Sequence, residues 1–237
     1  MLKPDGLKML VEKLGARYPE ILGINLESRR EEEIFKWFLA AILFGAPIRE
    51  SSAIRTYKCF ERDGILTPMR IIETGWNGLV RILNEGGYTR YDFKTADKLL
   101  EVMNNLVARY GGSLYKIHDG VESPRALEAE IIALGRGIGS VTVNIFLREL
   151  REVWERARPY PHEFVVLAAR NLGIIRGDVE GDALQQLEEF WAKNRVPNKS
   201  FMNFESALLR LGRDFCRKRK CLKCMVRYYC DIRFGVA

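Results

Sequence analysis

The sequence predicts an all-α protein, and three observations carry that prediction. Apolar residues recur at helical spacing, most clearly at Ala96, Leu99, Leu100, Met103 and Leu106. Glycine and proline punctuate these runs at Gly64, Pro68, Gly75, Gly86-Gly87 and Gly111-Gly112. No stretch alternates apolar and polar residues for long enough to read as a strand.

The elements follow in order. Residues 31–43 (EEEIFKWFLAAIL) put acids in a first turn ahead of an apolar run, which Gly45 and Pro47 end. Short helices are expected over 51–60, 69–72 and 76–84, then a long amphipathic one over 93–110. Ser123-Pro124 is a start signal, with Glu128 in the opening turns, for a helix reaching Leu134. Further helices are expected over 140–156, 161–172, 182–193 and 203–215, with breaks at 156–161 (RARPYP), 173–181 and 195–199. Trp37 reads as core. Trp154, beside the 156–161 break, reads as packing between two lobes.

Composition narrows the function classes. A chain of 237 residues with 47% hydrophobic content buries a proper core without help from a metal. Its longest apolar run, 35–46, is too short to span a bilayer, so no membrane partner is expected. The opening MLKPDGLKML has no secretory character, which makes a cytoplasmic, reducing location the expectation. The net charge of +7 suits a polyanionic partner, and the basic excess is concentrated in the last thirty residues.

That basic segment holds four cysteines, Cys216, Cys221, Cys224 and Cys230, in the pattern C-x4-C-x2-C-x5-C. Seven Lys or Arg lie between Arg213 and Arg227 against one acid, Asp214. Four thiolates so close in sequence can wrap one metal centre, and nearby positive charge favours the thiolate form. Zinc prefers two short C-x2-C knuckles on separate loops, whereas a single crowded loop suits an iron–sulfur cube at least as well. Structural disulfides fit poorly, since Cys59 would be left over.

A second motif precedes it. Residues 134–147 read LGRGIGSVTVNIFL: one helix ends, the chain turns through Gly137-Ile138-Gly139, and another helix begins. Such a turn can face its backbone N–H groups outward, and the next helix adds its positive end, which makes an anion site. Ile138 would pin the turn to the core.

The hairpin LGRGIGSVTVN, the stretch LLRLGRDFC and the ending C-x2-C-x5-C together resemble the endonuclease III-like superfamily of helix-hairpin-helix DNA glycosylases, over roughly 31–231. The first cysteine spacing is four residues here against six in many members. The resemblance implies a two-lobed all-α fold with a C-terminal [4Fe-4S] loop at 216–230. A central helical barrel would span 31–153, and 1–30 would join 154–237 as the cluster lobe. It implies that double-stranded DNA is bound, with a nucleotide flipped out, by a monomer working in the cell at its DNA. Phosphate contacts would come from Gly137, Ile138, Gly139, Ser140 and Thr142 in the hairpin and from Arg217, Lys218, Arg219, Lys220 and Lys223 in the loop. Cys216, Cys221, Cys224 and Cys230 would hold the cluster, with zinc as the alternative. Tyr228 and Tyr229 would shield it.

Two positions depart from the family pattern. The lysine that attacks the sugar in lyase-competent members is matched by Val141, which cannot form a Schiff base. The aspartate that supports base excision is matched by Pro159 or Tyr160. A polar wedge residue is also missing, since Ala46 and Pro47 stand there. A lysine-dependent lyase is therefore not expected; a monofunctional N-glycosylase or a non-catalytic DNA-binding module is. Substitute carboxylates are Glu163, at a helix start, and Glu149, Glu152 and Glu155, expected on the solvated face of the 140–156 helix. Tyr160 could stack on a base and His162 could donate to a phosphate.

Overall fold

The computed structural model describes residues 2–177 and 182–230. Residues 178–181, inside the acidic part of the 173–181 loop, and 231–237, the end of the expected cluster lobe, lie outside the described residues. In chain order the α-helices are α1 (Pro4–Leu14), α2 (Tyr18–Leu22), α3 (Glu31–Phe44), α4 (Glu50–Arg62), α5 (Pro68–Gly86), α6 (Asp92–Tyr110) and α7 (Leu114–Asp119). They continue with α8 (Pro124–Ile132), α9 (Ser140–Arg148), α10 (Glu163–Asn171), α11 (Ala183–Lys193) and α12 (Phe201–Leu211). Among the described residues there is no strand.

The chain forms two compact units, one made of Pro19–Pro159 and one of Met1–Tyr18 with Tyr160–Ala237. In the first, α3 is the central helix, buried from Ile34 to Leu43 apart from Lys36. Trp37 donates its indole N–H to the Phe146 carbonyl at 3.0 Å, and Phe38 meets the Phe146 ring edge-on at 5.0 Å. These contacts lay α9 against α3. The Glu31 carboxylate accepts from the Leu114 N–H and the Ser113 hydroxyl, both at 2.7 Å, tying the start of α7 to α3. The two short helices expected over 69–84 are one element, α5, broken at Gly75, where φ is 64° and ψ is 173°.

Three expectations in this unit are corrected. The helix expected to reach residue 156 ends at Arg148, and turns follow. Glu149 therefore does not stand on a solvated face: it is fully buried, 3.4 Å from the buried Arg148. Glu152 and Glu155 are exposed on the turns rather than on a helix. Trp154 is core of this unit, stacked on His118 at 5.0 Å and edge-on to Phe146 at 5.5 Å.

In the second unit α12 is the central helix, buried from Phe201 through Leu209, its polar Asn203, Glu205 and Ser206 included. A capping box starts it: Ser200 accepts from the Asn203 N–H while Asn203 accepts from the Ser200 N–H at 2.9 Å. Asn203 also donates to the Gly15 carbonyl at 2.8 Å, and Arg210 donates to the Leu14 and Ala16 carbonyls. The α12 side chains thus satisfy the C-terminal end of α1, which would otherwise hold unpaired carbonyls. Trp191 stacks on Phe204 at 5.3 Å, bringing α11 onto the same face. Beyond Leu211 the chain widens into a π turn, Gly212–Cys216, which delivers the first cysteine.

Candidate nucleic-acid interface and cysteine loop

The hairpin is built across α6. The Asn105 side chain donates to the Leu134 carbonyl at 2.9 Å and Arg109 donates to the Ala133 carbonyl at 3.2 Å, holding the end of α8. Gly135 sits where any Cβ would fall 2.8 Å from the Val102 side chain, and Ile138 is buried. Gly137 has φ 81°, a left-handed conformation that suits glycine.

Gly139 is different. Its φ of −120° and ψ of −178° suit any residue, and a Cβ there would meet nothing within 4 Å. Neither backbone strain nor internal packing demands glycine, so its value is an uncovered backbone that an outside group can approach closely. Gly139 is the N-cap of α9, and no side chain caps that end. The first N–H groups of α9 have no partner within the helix and carry its positive end. Ser140 and Val141 are exposed there. The Thr142 side chain is buried, with Oγ1 2.2 Å from where a Cβ on Gly45 would stand, which leaves its backbone N–H as the group available at this end.

An open cleft of about 740 Å³ adjoins the hairpin, lined by Gly45, Ala46, Pro47, Tyr91, Lys94, Thr95, Asp97, Lys98, Glu101, Arg136 and Gly137. The wedge-position residues Ala46 and Pro47 are thus part of its wall. Of its acids, Asp97 accepts from the Trp76 indole at 2.8 Å. Burial pushes the Lys98 amine below its ordinary value. Sequence reading passed over this cleft, because Tyr91, Lys94 and Lys98 belong to no motif. One signal was available: Lys98 lies three residues after the buried Thr95 and four before the buried Val102, at the edge of an apolar stripe.

The expected catalytic residues divide between the two units. Val141 is half-exposed, and Pro159 is buried, its carbonyl accepting from Arg151 at 2.8 Å. Glu149 is buried with Arg148. In the other unit Tyr160 is exposed, and the N-cap of α10 is His162 rather than Tyr160, its ring accepting from the Phe164 N–H at 3.2 Å. Glu163 is exposed in the first turn of α10.

The cysteine loop is anchored by Val226, which is buried among α1, α10 and α12 residues. Short 3-10 turns at Cys221–Lys223 and Arg227–Tyr229 space the thiols. Tyr229 packs over Gly6 of α1, where a Cβ would stand 2.6 Å from its ring. Tyr228 is 80% exposed, with the Arg227 guanidinium 4.5 Å from its ring centre. Arg217, Lys218, Arg219, Lys220 and Lys223 are all exposed. Lys218 is 3.3 Å from Asp214, and Arg217 lies over the Phe164 ring at 5.3 Å.

All four loop cysteines are free thiols of intermediate exposure. The basic setting does not lower the pKa of Cys216 or Cys224 as expected. Burial pushes Cys216 up to about 11, and negative charge on Cys224, Cys230 or Cys221 pushes it the same way against a hydrogen bond from Asn171. Burial likewise pushes Cys224 up. The four sulfurs are therefore near neighbours that bare thiolates would not occupy comfortably, and a bound metal is what deprotonates such a set. No three His, Cys, Asp or Glu among the described residues are drawn together tightly enough to hold one metal ion.

Comparison with solved structures places the fold. The likeness is one of an all-helical fold. In particular, a trapped endonuclease III–DNA covalent intermediate, an estranged-adenine complex, matches with a TM-score of 0.50 at 16% identity, over 98% of this chain and 97% of that one. A non-covalent endonuclease III–DNA complex matches at 17% identity and a TM-score of 0.48, over 98% of this chain and 96% of that one. No family model and no curated protein matches the sequence. The chain has the endonuclease III fold.

Proposed function

We propose that this protein binds double-stranded DNA, inspects it for damaged or mismatched bases, and releases a recognised base by hydrolysis as a monofunctional N-glycosylase. The observation that carries this reading is the uncapped α9 N-terminus at Gly139 beside the cleft of about 740 Å³. A phosphate fits the first and an extruded nucleotide fits the second, since pockets for ligands of that size measure roughly 300–1,000 Å³. The exposed cations of the cysteine loop add sequence-independent phosphate attraction. The protein would act as a monomer at cellular DNA, with Cys216, Cys221, Cys224 and Cys230 holding a [4Fe-4S] cluster. That cluster would stiffen a loop whose buried thiols otherwise favour the protonated form.

This chain's own residues would do the following. The Ser140, Val141 and Thr142 amides would bind a phosphate and fix the strand's register. Lys94 and Arg136 would attract the neighbouring backbone, and the walls at Ala46, Pro47 and Tyr91 would exclude water from the entering base. Base release would need a carboxylate to orient water. Glu163 and Glu152 are both exposed and able to serve, whereas buried Glu149 is not.

A binding-only role is the second reading, and the apolar residues Val141 and Pro159 at the two expected catalytic positions favour it. One panel separates the two. Duplexes carrying uracil, oxidised purines, alkylated bases or mismatches are incubated with the protein and then treated with alkali. Strand cleavage at one lesion, lost in Glu163→Gln or Glu152→Gln, supports the glycosylase. Salt-sensitive binding without base release on every duplex supports the module, and no binding in low salt removes both.

A further inference from the structure

At the cleft, α6 carries two neighbouring rows of side chains, each repeating after one helical turn. Lys94 and Lys98 form one row, about 6 Å apart along the axis, and Phe93 and Asp97 form the other. The cation row starts at the hairpin, where a Cβ on Gly137 would stand 2.7 Å from Lys98 Cε, and ends at Lys94, next to Phe93. Like charges one turn apart repel, so the row suits an anion lying along it.

The second row carries an aromatic pair. Trp76 of α5 donates its indole N–H to Asp97 at 2.8 Å and meets the Phe93 ring at 5.1 Å, the two planes tilted by 43°. Asp97 also lines the cleft, so the pair adjoins it. Phe93 is 56% exposed and Trp76 38%, whereas Trp37, Trp154 and Trp191 are buried. The backbone sets the pair there. Gly75, directly before Trp76, has φ 64° and ψ 173°, a conformation essentially confined to glycine, and a Cβ on it would meet nothing within 4 Å. Glycine is therefore needed for the path of the chain alone, and that path breaks α5 where Trp76 reaches α6.

Exposed rings at the end of a cation row match a ligand with flat apolar faces and repeated negative charge. Unpaired DNA is such a ligand: its bases stack on aromatic side chains while its phosphates follow a basic track. An intact duplex keeps its base faces stacked on one another and leaves the rings unused. A protein partner held by apolar contact needs a broader patch than two side chains.

We infer that Trp76 and Phe93 are a stacking platform for unpaired bases of single-stranded DNA, which reaches them from the cleft along Lys98 and Lys94. The inference rests on the reading that the cleft receives DNA, and it names the substrate class: DNA with a single-stranded stretch beside the inspected site. The two rings hold that stretch and take no part in base release.

Three fluorescein-labelled probes test this. One is a blunt duplex, the second carries a tail of about eight thymidines at its 3′ or its 5′ end, and the third has the tail bases replaced by abasic spacers. The thymidine tail is expected to tighten binding about tenfold at one end or both, and the abasic tail less than about twofold, because its phosphates remain and its rings do not. The tail should also quench emission from Trp76, the exposed one of the four tryptophans. Trp76→Leu and Phe93→Leu should each lose most of the gain while blunt-duplex binding changes by less than about twofold; Trp76→Phe, which keeps a ring, should retain most of it. Thermal melts report folding, and Phe93→Leu, at the more exposed ring, still tests the platform where Trp76→Leu fails to fold. A thymidine tail that adds nothing to duplex binding overturns the inference and leaves the DNA reading in place. So does an abasic tail that binds as tightly as the thymidine tail, tryptophan emission unchanged with the tail bound, or a gain undiminished in Phe93→Leu. A wild type that binds none of the probes even in low salt overturns the DNA reading along with it.

Discussion

The α-carbon of Gly212 lies against the backbone carbonyl of Phe164, so closely that a Cβ at 212 would stand 1.9 Å from that oxygen. The contact fixes the start of α10 on the π turn that leads to Cys216. It gives the glycine of LLRLGRDFC a physical reason: no side chain fits, and backbone cannot rotate away as a side chain can.

Gly212→Ala is accordingly expected to destabilise the fold by about 2–3 kcal/mol, the upper range for an overpacked site. Helix propensity alone favours alanine by about 1 kcal/mol, so the two accounts predict opposite signs. Denaturant unfolding decides between them, and an unchanged or raised midpoint would show that α10 shifts freely.

The buried Arg148–Glu149 pair predicts a second loss. Removing one partner leaves the other charge in the interior, which costs about 3–5 kcal/mol. Glu149→Ala should therefore lower the unfolding midpoint sharply. Normal stability with selective loss of base release would instead return Glu149 to the catalytic candidates.

Glu33 predicts a pH dependence. Burial acts to raise its pKa, but Lys36 at 2.6 Å, the Asn25 N–H at 2.8 Å and the charges of Lys36 and Arg30 overcome it, and the net shift is downward from 4.5. A carboxyl with a lowered folded pKa stabilises the protein above its unfolded value. That contribution is lost as pH falls below about 4.5 and through the lower folded value. Glu33→Gln should cost about 2 kcal/mol at neutral pH and progressively less in acid. Parallel stability curves for wild type and variant at every pH would contradict this.

The cluster proposal predicts about four irons per chain and broad visible absorption from the purified protein. Cys216→Ser or Cys224→Ser should bleach that absorption and lower thermal stability. A colourless protein carrying one zinc would reject the cube.

Lys218, Arg219 and Lys220 predict a salt effect. Each phosphate contact adds about 0.9 to the slope of log affinity against log salt, so three would add nearly 3. Lys218 already neighbours Asp214, so replacing all three with alanine should reduce the slope by about 2, equally for every duplex sequence. An unaltered slope would take the loop out of the interface.

The sequence by itself determined the helical class, most helix starts and the two landmark motifs, because these depend on local periodicity, caps and spacing. Ser123-Pro124 does start α8, and Gly75 does interrupt the 68–86 segment. It also identified Val141, since a missing amine is visible without coordinates. Only the tertiary structure decided what each side chain faces. Glu149 looked solvated because the 140–156 pattern continues past Arg148, but the helix ends there and the chain turns the carboxylate inward. The cysteine loop looked acidifying from its charge count, but burial pushes Cys216 and Cys224 up. Lys98 was one lysine among many until α6 and the hairpin placed its stem against Gly137. Burial and desolvation arise from residues far apart in the chain, so no local pattern can carry them.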